Sequence, residues 1–253
     1  MQARLADAAG IDRIGVDLER LGKQERQRGL GTWVSSHAES DLDEIGPALT
    51  NACLFARVNP LNHDSRREVE SVLARGVKVV MLPMVKEAEE AARFAALIGG
   101  RATLVLLVEH IDALGRLAEM VQVEGVDEVH MGLNDLALSL GLSNRWLVLA
   151  GELAAEAGAT VRAAGLRFGL GGIGRAGDKG LPVPADLVYA EYARTGARAA
   201  LVSRSFFRTD GLDLKAEVTR ARRALAEWCS RSEAEIAAAH AELGRCATDA
   251  RCW

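Results

Sequence analysis

The sequence alternates short apolar runs with longer segments of helical periodicity. Eight apolar runs of strand length recur at fairly even spacing, over 13–19, 32–36, 54–59, 77–83, 102–109, 127–132, 166–172 and 198–204. Most of these runs are continuously apolar rather than alternating. This pattern is typical of strands that are covered by helices on both faces or closed into a barrel.

The segments between the runs carry recognisable helix ends. Asp64 is expected to cap the helix SRREVESVLARG, which has one apolar face and stops at a glycine. After the last predicted strand, helical patterns cover roughly 213–228 and 232–243. The second of these opens with a capping box formed by Ser232 and Glu235.

Eight strand–helix units in about 250 residues match the size and rhythm of a (β/α)8 barrel. We therefore expect an α/β protein with one domain over residues 1–253, a (β/α)8 TIM barrel with 212–253 as a C-terminal helical extension. A doubly wound open sheet is the alternative architecture.

The composition excludes some classes of binding partner. The 31 Lys and Arg are offset by 35 Asp and Glu, which argues against a nucleic-acid or anionic-membrane surface. No run is long enough to span a membrane, and the N-terminus lacks the pattern of a secretory leader. The four cysteines are not spaced as metal ligands, which favours reduced thiols in a cytoplasmic protein over a Cys246–Cys252 disulfide.

Polar side chains follow the predicted strands at their carboxyl ends, where barrel enzymes place their active groups. These residues are Asp17, Glu19, His37, Arg57, Glu109, Asn134 and Asp135. The same residues are also consistent with helix caps and structural ion pairs.

Glu109 and Asp135 follow the fifth and sixth predicted strands, which would be neighbours in a barrel. Two carboxylates at one site repel each other unless a cation lies between them, and their oxygens suit Mg²⁺ or Mn²⁺. The alternative is that Glu109 pairs with an arginine while Asp135 caps the short helix LALSLG.

Arg57 and His37 are the other candidates for chemistry. Arg57 emerges from a buried run, and its fork suits an oxyanion or a substrate carboxylate; a core ion pair with Asp17 or Glu19 is the alternative. His37 lies in a polar loop, where it is a candidate base or proton shuttle.

The segment GLGGIG (169–174) matches the spacing of a dinucleotide-binding loop, but the following RAGDKGLPVP does not open a helix. A nicotinamide cofactor is therefore disfavoured. Backbone amides around Gly171 and Gly172 suit a substrate carboxylate or phosphate, with a plain flexible loop as the alternative.

Five segments occur in an order that resembles the HpcH/HpaI aldolase and citrate lyase family. They are DLERLGKQERQ, RVNP, VMLPMV, LLVEHIDALGRLAEM and GVDEVHMGLNDLALSLG. The resemblance extends from about residue 11 to residue 206. The segments that contain Glu109 and Asp135 are its most specific parts.

This resemblance implies a (β/α)8 barrel that cleaves or forms a C–C bond through a metal-stabilised enolate of a 2-oxo acid, with an aldehyde as the second substrate. Glu109 and Asp135 would be the metal ligands, and Arg57 would steady the enolate oxygen. Asp17 and Glu19 match the family's acidic signature. The C-terminal helices suggest helix exchange between subunits in a homotrimer or homohexamer.

In the implied mechanism, backbone amides around Asn134 and Asp135 hold the substrate carboxylate, and a metal-bound water, His37 or a neighbouring subunit supplies the base. Two residues depart from the free-pyruvate members, since Arg20 replaces a histidine and Leu107 replaces a glutamine. Two alternatives therefore remain open. One is a CoA-thioester lyase that uses basic residues such as Lys23 and Arg26, and the other is an inactive barrel that binds or assembles.

Overall fold

The computed structural model describes residues 2–26, 35–178, 180–207 and 213–250. Within them, seven strands form one sheet in chain order. The strands are β1 (Arg13–Asp17), β2 (Cys53–Arg57), β3 (Val79–Leu82), β4 (Thr103–Val108), β5 (Glu128–Met131), β6 (Arg167–Ile173) and β7 (Ala199–Val202). The pairs β1–β2, β2–β3, β3–β4 and β6–β7 are parallel.

Helices separate most of the strands, as parallel pairing requires. The α-helices are α1 (Gln2–Ala8), α2 (Lys23–Arg26), α3 (Ser40–Ile45), α4 (Ser65–Ala74), α5 (Ala88–Ile98), α6 (Ile111–Gly115), α7 (Leu117–Met120), α8 (Leu133–Ser139), α9 (Trp146–Ala150), α10 (Leu153–Ala163), α11 (Ala185–Thr195), α12 (Leu214–Cys229) and α13 (Glu233–Asp249). Short 3-10 helices cover Gly46–Ala48 and Arg204–Phe207. No helix among the described residues is both long and apolar enough to cross a membrane.

The predicted α/β fold is confirmed, and seven of the eight predicted strands coincide with β1–β7. The remaining prediction, a strand over 32–36, begins in residues outside the described ranges. Its last two residues, Ser35 and Ser36, are described and belong to no strand.

Some of the helix ends predicted from the sequence agree with the structure and others do not. The capping box of Ser232 and Glu235 is confirmed, but α13 continues to Asp249 instead of ending near residue 243. Asp64 is the N-cap residue of α4, as expected, but its side chain makes no capping hydrogen bond. The Asp64 N–H instead donates to Asn62 Oδ1 at 2.8 Å, so Asn62 provides the side-chain turn before this helix.

The chain divides into two compact units, and the first comprises Met1–Val108 and Asp112–Val129. Buried side chains of β3 and β4 pack around Phe55 in its core; they are Val79, Met81, Val105 and Leu107. Arg13 at the start of β1 forms a two-pronged ion pair with buried Glu128 at the start of β5, with N–O distances of 2.5 and 2.7 Å. Because β1 and β5 are not neighbours in the sheet order, this contact requires a curved sheet.

The second unit comprises Glu109–Ile111 and His130–Trp253. Within it, α13 packs against α9 and α11 of its own chain, and α12 packs against α11. Leu243 and Ala247 on α13 are fully buried. The hydroxyls of Tyr189 and Tyr192 on α11 donate to the carbonyls of Gly174 and Leu170, at 2.8 and 3.0 Å.

Candidate active site

The carboxyl end of β1 carries a cluster of five charged side chains, which we call the Asp17 cluster: Asp17, Glu19, Lys23, Arg26 and Arg57. Arg57 Nε donates to Asp17 Oδ1 at 2.8 Å, and Lys23 Nζ lies 2.6 Å from Asp17 Oδ2. Glu19 is fully buried and contacts Arg26, Lys23 at 3.0 Å and Arg57 at 3.5 Å. Three cations thus surround two carboxylates, which gives the cluster a net charge of +1.

The charges of this cluster shift the titration of Asp17. Burial alone would raise the pKa of its carboxyl group. Hydrogen bonds and opposite charges from Arg57 and Lys23 outweigh burial and lower the pKa of Asp17 to about 2. Asp17 is therefore an anion across the physiological pH range. It forms ion pairs with cations and carries no proton to donate.

Arg57 is the last residue of β2 and lies in register with Asp17, the last residue of β1. Its guanidinium contacts both Asp17 and Glu19, so the ion pairing that the sequence left as an alternative is present in the structure. The excess positive charge of the cluster still favours an anion beside it. Lys23, which is buried, and Arg26 also pair with acidic residues of the cluster.

His37 is exposed and held through one ring nitrogen. The backbone N–H of Asp17 donates to His37 Nδ1 at 3.2 Å, and Ser35 Oγ lies 2.8 Å from the same nitrogen. Because Nδ1 accepts a hydrogen bond, the neutral imidazole carries its proton on Nε2. Arg20 fixes this loop, since its guanidinium donates to the carbonyls of Ser35 and His37.

A cleft of about 300 Å³ opens beside His37, within the first unit. Arg20 and Asn59, which follow β1 and β2, lie in its wall together with Glu68 of α4. Asn59 Oδ1 accepts the backbone N–H of Arg20 at 2.7 Å, and its side-chain amide donates to Glu68 at 3.2 Å. Polar groups that hydrogen-bond to one another therefore form part of the cleft wall, and His37 supplies an imidazole to the same wall.

Glu109 directly follows β4, and Asp135 is the third residue of α8, which begins two residues after β5. Both carboxylates are buried, with relative exposures of 2% and 7%. The short segment that contains Glu109 belongs to the same compact unit as α8, and the Ile111 N–H donates to Ser139 Oγ at 2.8 Å. The residue that precedes α8 as its cap is Gly132, so Asp135 lies inside the helix.

Two buried carboxylates are a donor set that fits a divalent cation. Mg²⁺ prefers oxygen ligands and commonly takes only one or two carboxylates from the protein, with water and substrate oxygens completing its octahedron. Within the described ranges, no group of three or more His, Cys, Asp or Glu side chains is arranged to hold a metal. A site on Glu109 and Asp135 would therefore take its further ligands from water or from substrate oxygens.

The glycine-rich segment lies within β6 rather than in a loop, since β6 extends to Ile173. A Cβ on Gly169 would lie 2.3 Å from the ring of buried His130, which explains a glycine there by close packing. Gly172 has φ +88° at an irregularity in the β6–β7 register. A Cβ on Gly171 or Gly172 would lie 3.5 Å from Met131 O or 3.8 Å from Leu133, so both glycines are next to the start of α8.

Two residues that the sequence did not single out lie beside the Asp135 turn. Arg145 Nη1 is 3.3 Å from Oδ1 of Asn134, which is exposed and immediately precedes Asp135. The Arg145 guanidinium also stacks 4.5 Å above the ring of Trp146, a cation–π arrangement. No motif marks Arg145 or Trp146, because the contact depends on how α8 and α9 fold back on each other.

The model of the HpcH/HpaI aldolase/citrate lyase family matches residues 36–170, more than half of the chain. The chain therefore belongs to this family. The matched range includes Arg57, Glu109 and Asp135, whereas Asp17 and Glu19 precede it. A search of curated proteins finds no match.

Solved structures show the same fold at low identity. A family protein from Burkholderia cenocepacia J2315 is 17% identical, with 89% of each chain covered and a TM-score of 0.63. Citrate synthase SbnG is 16% identical over 88% of each chain, with a TM-score of 0.62. The CitE protein of Mycobacterium tuberculosis, in complex with magnesium and acetate, is 18% identical over 94% of this chain and 89% of that one, with a TM-score of 0.56.

Proposed function

We propose that this protein is a divalent-metal-dependent carbon–carbon lyase, of the class II aldolase type, that cleaves or forms a C–C bond through the enolate of a 2-oxo acid. The observation that carries the proposal is the burial of Glu109 and Asp135, at 2% and 7% exposure, after neighbouring strands of a family member. Burial of a carboxylate at the end of an apolar strand costs free energy unless the carboxylate is paired or binds a cation.

We assign Glu109 and Asp135 as the ligands of Mg²⁺ or Mn²⁺. The bound ion would supply a Lewis acid that polarises the keto group of a pyruvate- or oxaloacetate-type substrate. Backbone amides of the first turn of α8, at Asn134 and Asp135, would orient the substrate carboxylate.

We assign roles to residues of the first unit from their charges and hydrogen bonds. Arg57 would place positive charge against the enolate oxygen, while Asp17 and Glu19 hold its guanidinium in orientation. The neutral ring of His37 presents an N–H at Nε2, so we assign it a hydrogen bond to a substrate oxygen, and only its imidazolium form would return a proton. Gly171 and Gly172, next to the start of α8, would offer their backbone amides to a carboxylate or phosphate of the substrate.

We further propose the larger architecture that the resemblance implies: a complete (β/α)8 barrel in a cytoplasmic homotrimer or homohexamer. The Arg13–Glu128 contact between non-neighbouring strands supports a closed sheet. Sedimentation velocity of the purified chain would measure the assembly, and a monomer at micromolar concentration would contradict it.

Proton exchange at the methyl group of pyruvate in D₂O tests the proposed activity. We expect exchange in the presence of Mg²⁺ or Mn²⁺ and its loss on addition of EDTA. Failure to exchange, together with failure to bind metal, would contradict the proposal and favour an inactive barrel with a binding role. Cleavage of a malyl- or citramalyl-thioester without any reaction of free 2-oxo acids would identify a CoA-thioester lyase instead.

A further inference from the structure

The loop segment that carries His37 is held by the side chain of Arg20. The guanidinium of Arg20 donates to the carbonyl of Ser35 at 2.9 Å and to the carbonyl of His37. One planar group therefore binds both ends of the segment 35–37. Because the two donors belong to the same rigid and charged fork, these hydrogen bonds fix the direction of the segment as well as its place.

The direction of this segment decides where the imidazole lies. His37 Nδ1 accepts the backbone N–H of Asp17 at 3.2 Å, and Ser35 Oγ lies 2.8 Å from the same nitrogen. Both contacts depend on the backbone that Arg20 holds, because Ser35 and His37 are the residues whose carbonyls it binds. With Nδ1 engaged, the N–H at Nε2 is the group that the neutral ring offers to a molecule in the adjoining cleft.

Arg20 is itself fixed from the neighbouring strand end. Asn59, two residues after β2, accepts the backbone N–H groups of Arg20 at 2.7 Å and Leu21 at 3.0 Å through Oδ1. The side-chain amide of Asn59 donates to Glu68 of α4 at 3.2 Å. A continuous series of hydrogen bonds thus extends from α4 through Asn59 and Arg20 to His37.

The cleft beside His37 differs in character from the Asp17 cluster. Its wall includes the apolar side chains Leu18, Val58 and Val72. The charged cluster contains Arg57, to which we assign the enolate oxygen. A neutral hydrogen-bond donor next to apolar side chains suits the other half of the substrate, which is an aldehyde with one oxygen and a carbon substituent.

We propose that Arg20 is a positioning residue that holds His37 for the cleavage step, in which His37 Nε2 donates a hydrogen bond to the C4 oxygen of a 4-hydroxy-2-oxo acid. This inference rests on the proposed aldolase function. In the step, the C4 hydroxyl gives its proton to water, the electron pair of the C3–C4 bond passes into the C2 carbonyl as an enolate, and C4 leaves as an aldehyde. The enolate then takes a proton from water at C3 to give pyruvate. The hydrogen bond from His37 stabilises the negative charge that develops on the C4 oxygen.

Two reactions separate this role from a general structural one. Cleavage of 4-hydroxy-2-oxopentanoate or 4-hydroxy-2-oxoglutarate, whichever the wild type cleaves faster, involves the C4 oxygen, whereas proton exchange at the methyl group of pyruvate does not. We expect Arg20→Gln to lower kcat for cleavage about 10-fold and His37→Ala about 100-fold, with exchange within about 2-fold of wild type. Arg20→Lys keeps the charge and should lose about 3-fold, and it replaces the glutamine variant if that variant fails to fold.

The double variant Arg20→Gln/His37→Ala shows whether Arg20 acts through His37. We expect it to have the kcat of His37→Ala alone, because no imidazole remains to be positioned. Arg93→Gln, at an exposed arginine of α5, is the matched control and should cleave at the wild-type rate.

Four results would overturn this inference while leaving the proposed function intact: a further loss in the double variant, equal decreases of cleavage and exchange, wild-type cleavage by Arg20→Gln, or a comparable loss in Arg93→Gln. A wild-type chain that exchanges the protons of pyruvate but cleaves neither substrate would have the same meaning. A wild-type chain that cleaves neither substrate and shows no metal-dependent exchange would overturn both.

Discussion

Two regions of the molecule hold their side chains in position by different forces. In the Asp17 cluster, position is set by charge: three cations contact two carboxylates, and the pKa of Asp17 falls to about 2 despite its burial. In the turn of Asn144, which precedes α9, position is set by hydrogen bonds between a neutral amide and four backbone groups. These groups are the N–H groups of Trp146 and Leu147 at the start of α9 and the carbonyls of Ala247 and Ala250 at the end of α13.

This difference predicts different sensitivities. Ion pairs depend on pH and salt, whereas hydrogen bonds of an amide do not titrate in the accessible range. The Asp17 cluster carries its own counter-charges. We assign an added cation to Glu109 and Asp135. The predictions below separate the two regions by these responses.

The largest effect is expected at the assigned metal ligands. Glu109→Gln and Asp135→Asn should each lower metal-dependent proton exchange by about 1000-fold, because several kcal/mol of Lewis-acid stabilisation are lost. Exchange is followed by NMR in D₂O. Glu156→Gln, at an exposed glutamate of α10, serves as the control, and a comparable loss in that variant would show that the decrease is not specific.

Asn144→Ala should lower the free energy of unfolding by about 2 kcal/mol, because it leaves buried backbone groups without partners. Chemical denaturation measures this loss. Asn144→Asp keeps the oxygen acceptor for α9 but cannot donate to the α13 carbonyls, so it isolates the connection to the C-terminal helix. If the aspartate variant has wild-type stability, that connection does not stabilise the fold.

Asp17 should make the stability of the protein pH-dependent. A carboxyl whose folded pKa is about 2 instead of 3.8 contributes stability that is complete above the unfolded pKa and is lost as pH falls through the folded one. The shift corresponds to about 2 kcal/mol. The stability difference between wild type and Asp17→Asn should therefore shrink between pH 4 and pH 2, as measured by urea unfolding, and a constant difference would contradict the assigned charge state.

The smallest effect is expected at the start of α13. Ser232→Ala removes the capping box and should cost about 1 kcal/mol of unfolding free energy. Chemical denaturation measures this loss, and a wild-type free energy of unfolding in the variant would contradict it.

Much of the fold was predictable because it depends on local periodicity. Continuous apolar runs located β1–β7, and the Ser232–Glu235 spacing located the start of α13. Local sequence rules failed where a side chain has several neighbours with which it can form a hydrogen bond or an ion pair. Asp64 occupies the N-cap position, but its carboxylate lies near His63 and Arg67, and Asn62 Oδ1 accepts the Asp64 N–H in the turn before the helix.

For the candidate site, the sequence predicted the types of residue but not their contacts. Strand ends pointed to Asp17 and Arg57, which are the last residues of β1 and β2, and to Glu109 and Asp135, which come after β4 and β5. The sequence did not distinguish a ligand-binding Arg57 from one paired with Asp17, because that depends on cross-strand register. Asn144 was not predictable at all, since its donors and acceptors join residues about a hundred positions apart.

Calorimetric titration with Mn²⁺ tests the central claim most directly, because it does not require a substrate. We expect one binding site per chain in the wild type and in Glu156→Gln, with that site lost in both Glu109→Gln and Asp135→Asn. A wild-type chain that binds no Mn²⁺ or Mg²⁺, or a site that persists in both carboxamide variants, would contradict the account.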